Sequence, residues 1–249
     1  MDTSFIEFFC NRDDIVAGTT CRGSSVDALD RYSGFTLCHY TGDNRQHYVA
    51  CRNRLASALG LAPEMIIIPR QTHGTSVLTV GDALPSPDEL DGMDAVVTSR
   101  RGVVIGVNTA DCLPLVMADT VSGVIGAVHA GWRGAVAGIQ LRAIDAMCGL
   151  GARPSRIKVY AGPCICLNCF EVGDEVACRF PDKFVSRRGT CRPHVDLARY
   201  VADTLVGAGL SMDNMTLPTA CTKCRPDRYF SARAAGIASG RNFTFIYRP

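Results

Sequence analysis

Apolar residues recur at helical spacing in several segments of the chain. Residues 45–59 have helical composition and are followed by Gly60, a residue typical of helix ends. Residues 135–147 carry apolar side chains three and four positions apart, which predicts a helix with one buried face. Asp196 is a suitable N-cap for a further helix that runs through Val206. A shorter helix is expected near residues 172–180.

Short apolar or β-branched runs predict strands between these helices. The runs cover residues 65–69, 95–98, 103–108, 113–118, 124–129, 157–161, 215–217 and 243–247. Their apolar character is continuous rather than alternating, which is typical of strands covered on both faces. Because strands and helices follow no regular βαβ rhythm, the sequence predicts one α/β (mixed α+β) domain over residues 1–249. We expect mixed β-sheets flanked by helices.

Composition narrows the functional classes. The chain has 249 residues, of which 47% are hydrophobic, so a large core is available. The formal net charge is only +2, and the charged residues are spread along the whole chain. This distribution excludes a basic stripe for nucleic acid and favours a small-molecule substrate. The first residues are too acidic for a signal peptide, and the apolar stretch 102–118 is interrupted by polar residues. We therefore expect a cytoplasmic protein with no membrane span.

Three segments at strand edges combine metal-binding side chains with glycines and sharp turns. They are residues 71–74 (QTHG), 109–114 (TADCLP) and 129–134 (HAGWRG). A thiolate with two imidazoles is a suitable ligand set for zinc, which makes His73, Cys112 and His129 candidate ligands. Three protein ligands leave a fourth position open, as in catalytic sites. On residue chemistry alone, Cu²⁺ and a purely structural role for these side chains remain alternatives.

These segments also resemble a known family. Together with residues 162–165 (GPCI) and 170–173 (FEVG), they are similar to the YfiH/YlmD family of laccase-domain, or polyphenol-oxidase-like, proteins. The similarity runs in the family's order from about Gly18 to Arg241. It implies a single-domain α/β fold with one zinc ion held by His73, Cys112 and His129.

The resemblance further implies activity on purine nucleosides. The implied reactions are phosphorolysis of adenosine, inosine, guanosine and methylthioadenosine, and deamination of adenosine. Three alternatives stay open: a peptidoglycan editing factor that removes misincorporated L-serine, a copper-dependent polyphenol oxidase, and a non-catalytic zinc-binding protein. The expected partners are a purine nucleoside and phosphate.

Several polar residues near the candidate ligands are candidates for substrate chemistry. Arg133 is the first candidate for holding phosphate, with a surface ion pair as the alternative. Asp111 is a candidate for proton transfer or for orienting a ligand, or it caps a turn. Gln71 is a candidate substrate contact. Trp132 is expected to be a buried anchor rather than a base-stacking residue.

The segment 229–233 (YFSAR) resembles the family's F-F-S-x-R-R segment and makes Arg233 a candidate substrate-binding residue. Ala234 stands where the family has its second arginine, which puts phosphate or substrate affinity in doubt. Leu37–Cys38 also departs from the family's L-G at that point.

The chain contains 13 cysteines, and most of them are expected to be buried small hydrophobic residues. Five of them have a spacing that is also typical of metal-binding or redox cysteines, namely Cys164, Cys166, Cys169, Cys221 and Cys224. A second, closed zinc site or a redox pair is the alternative to inert thiols there. The resemblance includes no metal at these cysteines, so the expectation is about one zinc ion per chain.

Overall fold

The computed structural model of the chain describes residues 2–23, 27, 30–187 and 192–249. In this part of the chain, thirteen strands are β1 (Ile6–Arg12), β2 (Ile15–Thr20), β3 (Ile66–Ile67), β4 (Val77–Val80), β5 (Ala95–Thr98), β6 (Val104–Thr109), β7 (Leu113–Asp119), β8 (Val124–Ala130), β9 (Lys158–Ala161), β10 (Val185–Ser186), β11 (His194–Val195), β12 (Met215–Thr216) and β13 (Asn242–Tyr247). The helices are α1 (Arg45–Leu59), α2 (Trp132–Val136), α3 (Ile139–Gly149), α4 (Asp174–Ala177), α5 (Leu197–Gly207) and α6 (Ala232–Ala235).

Most of the strands form two mixed sheets. The first has five strands in the order β1-β2-β13-β6-β3, antiparallel except for the β3–β6 pair. The second has six strands in the order β12-β9-β7-β8-β5-β4, with parallel pairs only at its two edges. Strands β10 and β11 form a small separate antiparallel pair. The prediction of mixed sheets within an α/β fold is confirmed.

The two large sheets pack face to face. One buried cluster between them draws on both sheets, for example Ile105 of β6, Val116 of β7 and Ile125 of β8. Neighbouring residues on the same strands point the other way, so that Leu115 and Val124 belong to a second cluster beneath the helices. Because side chains alternate along a strand, these strands are apolar at nearly every position. This arrangement explains their continuous hydrophobic runs.

Helices cover the outer faces of both sheets. Helix α1 lies against the five-stranded sheet, where Leu55 packs in a cluster with Phe243 and Phe245. Helices α3 and α5 cover the six-stranded sheet through residues such as Ile144 and Leu205. The fold therefore has four layers, helix–sheet–sheet–helix, with buried apolar side chains between each pair of layers.

The helix signals were accurate where caps were present. Helix α1 ends at Leu59, and Gly60 adopts φ 69°, where the absence of a Cβ avoids a steric penalty. Asp196 caps α5 by accepting a hydrogen bond from the Arg199 amide. The prediction of one continuous helix over residues 135–147 was wrong in one respect. The segment is divided into α2 and α3, because Gly138 lies between them with φ 88°.

Two shorter predictions also need correction. The helix expected near residues 172–180 is a single turn, α4, and the strand expected over residues 65–69 is reduced to β3. Across the described residues, no helix has both the length and the apolar character needed to cross a bilayer.

Candidate metal centre

The candidate ligands come together where strands of the two sheets end. The turn between β6 and β7 crosses from one sheet to the other and carries Cys112. His129 lies near the end of the adjacent strand β8, paired with Pro114 of β7. His73 comes from the connection between β3 and β4. One donor atom from each of these three side chains lies within 4.8 Å of the other two.

The three side chains differ in exposure. His129 is buried, Cys112 is half-buried and His73 is exposed. The Cys112 Sγ and His73 Nε2 atoms are 3.8 Å apart, and the two imidazole rings meet edge-on with centroids 4.7 Å apart. The group therefore has a closed side in the protein and an open side toward solvent, which suits an ion that must receive a further ligand.

Gly131 shows how closely the ligands are packed. A Cβ atom at this position would lie 2.9 Å from His73 Cδ2 and 3.1 Å from Cys112 Sγ. The backbone of Gly131 has φ −66°, which any residue adopts, so the glycine is required for space and not for conformation. The chemistry of the donors and the space beside them both fit a single borderline-soft divalent ion.

Asp94, which the sequence motifs did not indicate, organises this group. Its buried carboxylate accepts a hydrogen bond from His129 Nδ1 at 2.7 Å, which turns His129 Nε2 toward the other two ligands. The same carboxylate accepts the backbone amides of His73 at 3.0 Å and Gly74 at 2.7 Å. The only indication of this role in the sequence is an acidic residue directly before the apolar strand β5, and such a residue is equally typical of a turn.

Electrostatics favour the thiolate form of Cys112. Burial alone would raise the pKa of Cys112, but attraction to His129 and hydrogen bonds with both histidines lower it to about 6. Burial likewise works against the protonated His129, while the Cys112 thiolate and Asp94 raise the pKa of His129 to about 9. Because a metal binds the thiolate and not the thiol, the site has its sulfur ligand prepared near neutral pH.

The open side of the metal group faces a cleft of about 550 Å³. Its lining includes the candidates Gln71, Asp111 and Arg233 together with Tyr40, Asn108, Thr109, Ile237 and Arg241. The structure therefore brings three of the predicted polar candidates beside the predicted ligands.

Gln71 is tied into the wall of this cleft. Its amide donates to the Asn108 carbonyl at 2.7 Å and accepts the Asn108 amide at 2.9 Å. The Tyr40 hydroxyl donates to the same Gln71 oxygen at 3.2 Å, and burial raises the pKa of Tyr40, so this proton is retained. Gln71 thus holds the end of β6 in place, and a direct contact with substrate stays a prediction.

Asp111 connects three segments at the cleft. One carboxylate oxygen accepts the Thr222 hydroxyl at 2.6 Å, and the other accepts the Arg233 backbone amide at 2.6 Å. In the described part of the chain, Asp111 and His73 are the two non-glycine residues with positive φ, 87° and 63°. Such backbone conformations cost free energy and concentrate at functional sites.

Arg133 occupies a different position from the other candidates. It is exposed on α2, its guanidinium lies 4.4 Å from the centre of the Trp132 ring, and it is not part of the cleft lining described above. Its predicted phosphate contact stays a prediction. Trp132 is partly buried against the core cluster beneath the helices, as an anchoring residue would be.

A larger groove of about 1180 Å³ lies elsewhere, beside Phe5, Arg22, Arg54 and Arg228. The residues around this groove include none of the three metal-ligand candidates. We place the functional site in the smaller cleft, because metal donors, strained backbone and a perturbed thiol all meet there.

The chain is similar to known proteins over nearly its whole length. A family profile described as "Multi-copper polyphenol oxidoreductase laccase" matches residues 16–249. "Adenosine deaminase RL5", from an unknown prokaryotic organism, is 40% identical over 98% of this chain and 97% of its own. "Purine nucleoside phosphorylase" of Deinococcus radiodurans is 38% identical over 92% of this chain and 88% of its own.

Solved structures show the same fold. YlmD from Geobacillus stearothermophilus superposes with a TM-score of 0.86 at 26% identity, covering 94% of this chain and 92% of its own. The hypothetical protein YfiH of Bacillus licheniformis gives a TM-score of 0.88 at 24% identity, covering 96% and 98%. The chain therefore belongs to the polyphenol oxidoreductase laccase family and has the fold of YfiH and YlmD, as its motifs predicted.

Proposed function

We propose that this protein is a zinc-dependent purine nucleoside phosphorylase that also deaminates adenosine, acting through one catalytic domain. The observation that carries the proposal is the three-donor group of His73, Cys112 and His129 in the lining of a cleft that also contains Gln71, Asp111 and Arg233. Relatives that match nearly the whole chain carry the names of these two activities, which supports the same chemistry here.

The donor set supports zinc. Two imidazoles and one thiolate suit a borderline-soft ion, and none of the described residues that line the cleft is a methionine able to serve as a weak axial ligand for copper. When bound, zinc would supply Lewis acidity at the reacting centre of the substrate. The donor group comprises three side chains, which leaves room for an exchangeable ligand and argues against a purely structural ion.

The chain's own residues prepare the metal site. Asp94 keeps the proton on His129 Nδ1, so the opposite nitrogen is the one offered to the metal. Gly131 keeps the space between His73 and Cys112 free of side-chain atoms. Together they hold the ligands in a fixed arrangement before a substrate arrives, which lowers the cost of reorganisation during the reaction.

The cleft also supplies groups for the substrate. Arg233 gives one N–H to the Glu171 carbonyl at 2.9 Å, and its guanidinium has five such donors in all. It is therefore well placed to hold an anion such as phosphate. In the described part of the chain, the buried atoms Asn108 Oδ1 and Thr109 Oγ1 have no hydrogen-bond partner. Both residues line the cleft, but these two oxygens are shielded from it, so they form part of its wall and not of its substrate-contacting surface.

The decisive experiment incubates the full-length, metal-quantified protein with adenosine, with and without inorganic phosphate. We expect inosine in both conditions, and adenine with ribose 1-phosphate only when phosphate is present. Cys112→Ala should lose the metal at this site together with both activities. The matched control is Cys178→Ala, which changes an exposed cysteine outside the cleft lining.

If the zinc-loaded wild-type protein forms neither product set, the nucleoside assignment is wrong. Full activity in Cys112→Ala would remove this thiolate from the site. Bound copper with oxygen consumption on phenols, in protein never exposed to added copper, would favour the polyphenol oxidase alternative instead.

A further inference from the structure

We propose a second metal site in this protein, a closed zinc site formed by Cys166, Cys169, Cys221 and Cys224. The sulfur atoms of these four residues all lie within 4.8 Å of one another. The sequence alone left inert thiols and a redox pair as alternatives for them. The group is separate from the three-donor group, and its metal content does not depend on which reaction the protein catalyses.

Two Cys-x-x-Cys turns build the proposed site. In the first, the amides of Cys169 and Phe170 both donate to the Cys166 carbonyl at 2.9 Å, which reverses the chain between the two sulfurs. In the second, the Arg225 amide donates to the Cys221 carbonyl at 3.1 Å. Paired turns of this kind are the usual way in which proteins supply four thiolates to one structural zinc ion.

The two turns are held against each other by the backbone. Cys164 and Cys221 form a parallel β-bridge, and the Thr222 amide donates to the Cys164 carbonyl at 3.1 Å. The Cys166 amide points at Cys221 Sγ, with N and S 3.4 Å apart. An N–H group directed at sulfur stabilises a thiolate, the form in which cysteine binds metal.

The spacing of the sulfurs suits an ion better than a disulfide. A tetrahedral zinc–sulfur distance of about 2.3 Å separates neighbouring sulfurs by roughly 3.8 Å. A disulfide would need about 2.05 Å. The Sγ atoms of Cys169 and Cys224 are 3.4 Å apart, nearer to the spacing around an ion, and all four sulfurs converge rather than two.

The surroundings fit a charged four-thiolate centre. Three of the cysteines are half-buried and Cys224 is exposed, so an ion has a path to the site from solvent. Lys223, an exposed cation, lies between two of the proposed ligands, and Arg225, whose guanidinium pairs with Asp227, follows the last. A zinc ion with four thiolates carries a net charge of about −2, which Lys223 would partly offset.

The proposed zinc would also support the cleft. The Thr222 hydroxyl, within the second turn, donates to Asp111 Oδ1 at 2.6 Å, and Asp111 precedes the candidate ligand Cys112. Binding of zinc would release the thiol protons to solvent and fix the two turns together, with no oxidation or reduction. The second ion would thereby act as a clamp that keeps Asp111 in its strained conformation beside the first.

The test is a metal count on full-length protein purified under reducing conditions. We expect about two zinc ions per chain in the wild type and about one in the double variant Cys169→Ser/Cys224→Ser. The matched control, Cys148→Ser/Cys178→Ser, also replaces two cysteines but lies outside both groups, and it should keep both ions.

Cobalt substitution provides a second test, which does not require the double variant to fold. Cys112→Ala loaded with Co²⁺ alone should keep about four-fifths of the thiolate-to-cobalt charge-transfer absorption of the wild type, since four of the five thiolates lie in the cysteine group. The proposal is overturned by one zinc ion per chain in the wild type, by iron in place of zinc, by a Cys169–Cys224 disulfide, or by loss of most of this absorption in Cys112→Ala.

Discussion

The Asp94 carboxylate accepts a hydrogen bond from His129 Nδ1 at 2.7 Å, while the Asp94 carbonyl accepts the His129 backbone amide at 2.8 Å. These contacts join the start of β5 to the end of β8, next to the candidate metal ligands. The carboxylate also receives amides from the turn that carries His73. Two of the three proposed ligands are thus oriented by one buried side chain.

Replacing Asp94 by asparagine should weaken metal binding without removing a ligand. The amide side chain would lack the negative charge that holds the proton on His129 Nδ1 and would accept fewer backbone amides. We expect metal affinity to fall about 10-fold to 100-fold, as for other groups that orient metal-binding histidines. Competition with a chromophoric chelator measures this change. The matched control is Asp119→Asn, another fully buried aspartate, which should leave the affinity unchanged. Unchanged affinity in Asp94→Asn would contradict the positioning role.

Gly131→Ala should crowd the metal ligands. The new Cβ would stand 2.9 Å from His73 Cδ2 and 3.1 Å from Cys112 Sγ, so one or both ligands must move. We expect at least a roughly 10-fold loss of metal affinity with little change in the thermal unfolding of the metal-free protein, because φ −66° suits alanine. Gly149→Ala is the control, since its Cβ would meet no atom within 4 Å. Equal metal affinity in the two variants would show that the site has more space than the structure indicates.

The two arginine candidates can be separated by phosphate kinetics. Arg233→Ala removes a guanidinium at the cleft, and we expect the phosphate KM to rise about 10-fold to 100-fold, the usual effect of losing one or two charge-assisted hydrogen bonds. Arg133→Ala removes an exposed guanidinium stacked on Trp132 and should change this KM much less. Both variants should retain their zinc. The reverse order of effects would restore Arg133 as the phosphate contact.

The folding stability of the protein should decrease at low pH, in part because Asp119 becomes protonated. Burial would raise the pKa of Asp119, but hydrogen bonds from the Arg153 amide and the Arg156 guanidinium lower it below 3.8. A lowered folded-state pKa means that the ionised carboxylate stabilises the fold above pH 3.8. This stabilisation is lost as the pH falls from 3.8 through the folded-state pKa.

Asp119→Asn should therefore cost about 1–3 kcal/mol of unfolding free energy at neutral pH, with the difference from wild type shrinking in acid. Urea denaturation at several pH values measures both. A difference that does not vary with pH would show that Asp119 contributes through packing and not through its charge.

Much of the fold was predictable because its signals are local. Gly60 ends α1 at the expected residue, since a left-handed residue there needs no information from elsewhere in the chain. Continuous apolar strands correctly indicated sheets buried on both faces. The break between α2 and α3 was missed, because Gly138 lies inside an apolar pattern that continues at helical spacing on both sides of it.

The site was predictable in part. His73, Cys112 and His129 were identified through motif resemblance, and the structure brings them together. Asp94 was missed, because a single aspartate before a strand has no distinctive pattern and its role exists only once β5 and β8 are paired. The convergence of the two Cys-x-x-Cys turns was likewise left open, because the pairs are far apart in the chain.

By itself, the amino-acid sequence determined the capped helices α1 and α5, the doubly buried strands and the residues able to bind a metal, because spacing and side-chain chemistry express these locally. Only the tertiary structure decided which side chains meet. The pairing of β5 with β8 brings Asp94 under His129. The fold also places Arg233 at the cleft and Arg133 outside its lining, and it gathers four sulfurs from two distant turns. Such contacts follow from strand order and register, which pair residues regardless of their separation along the chain.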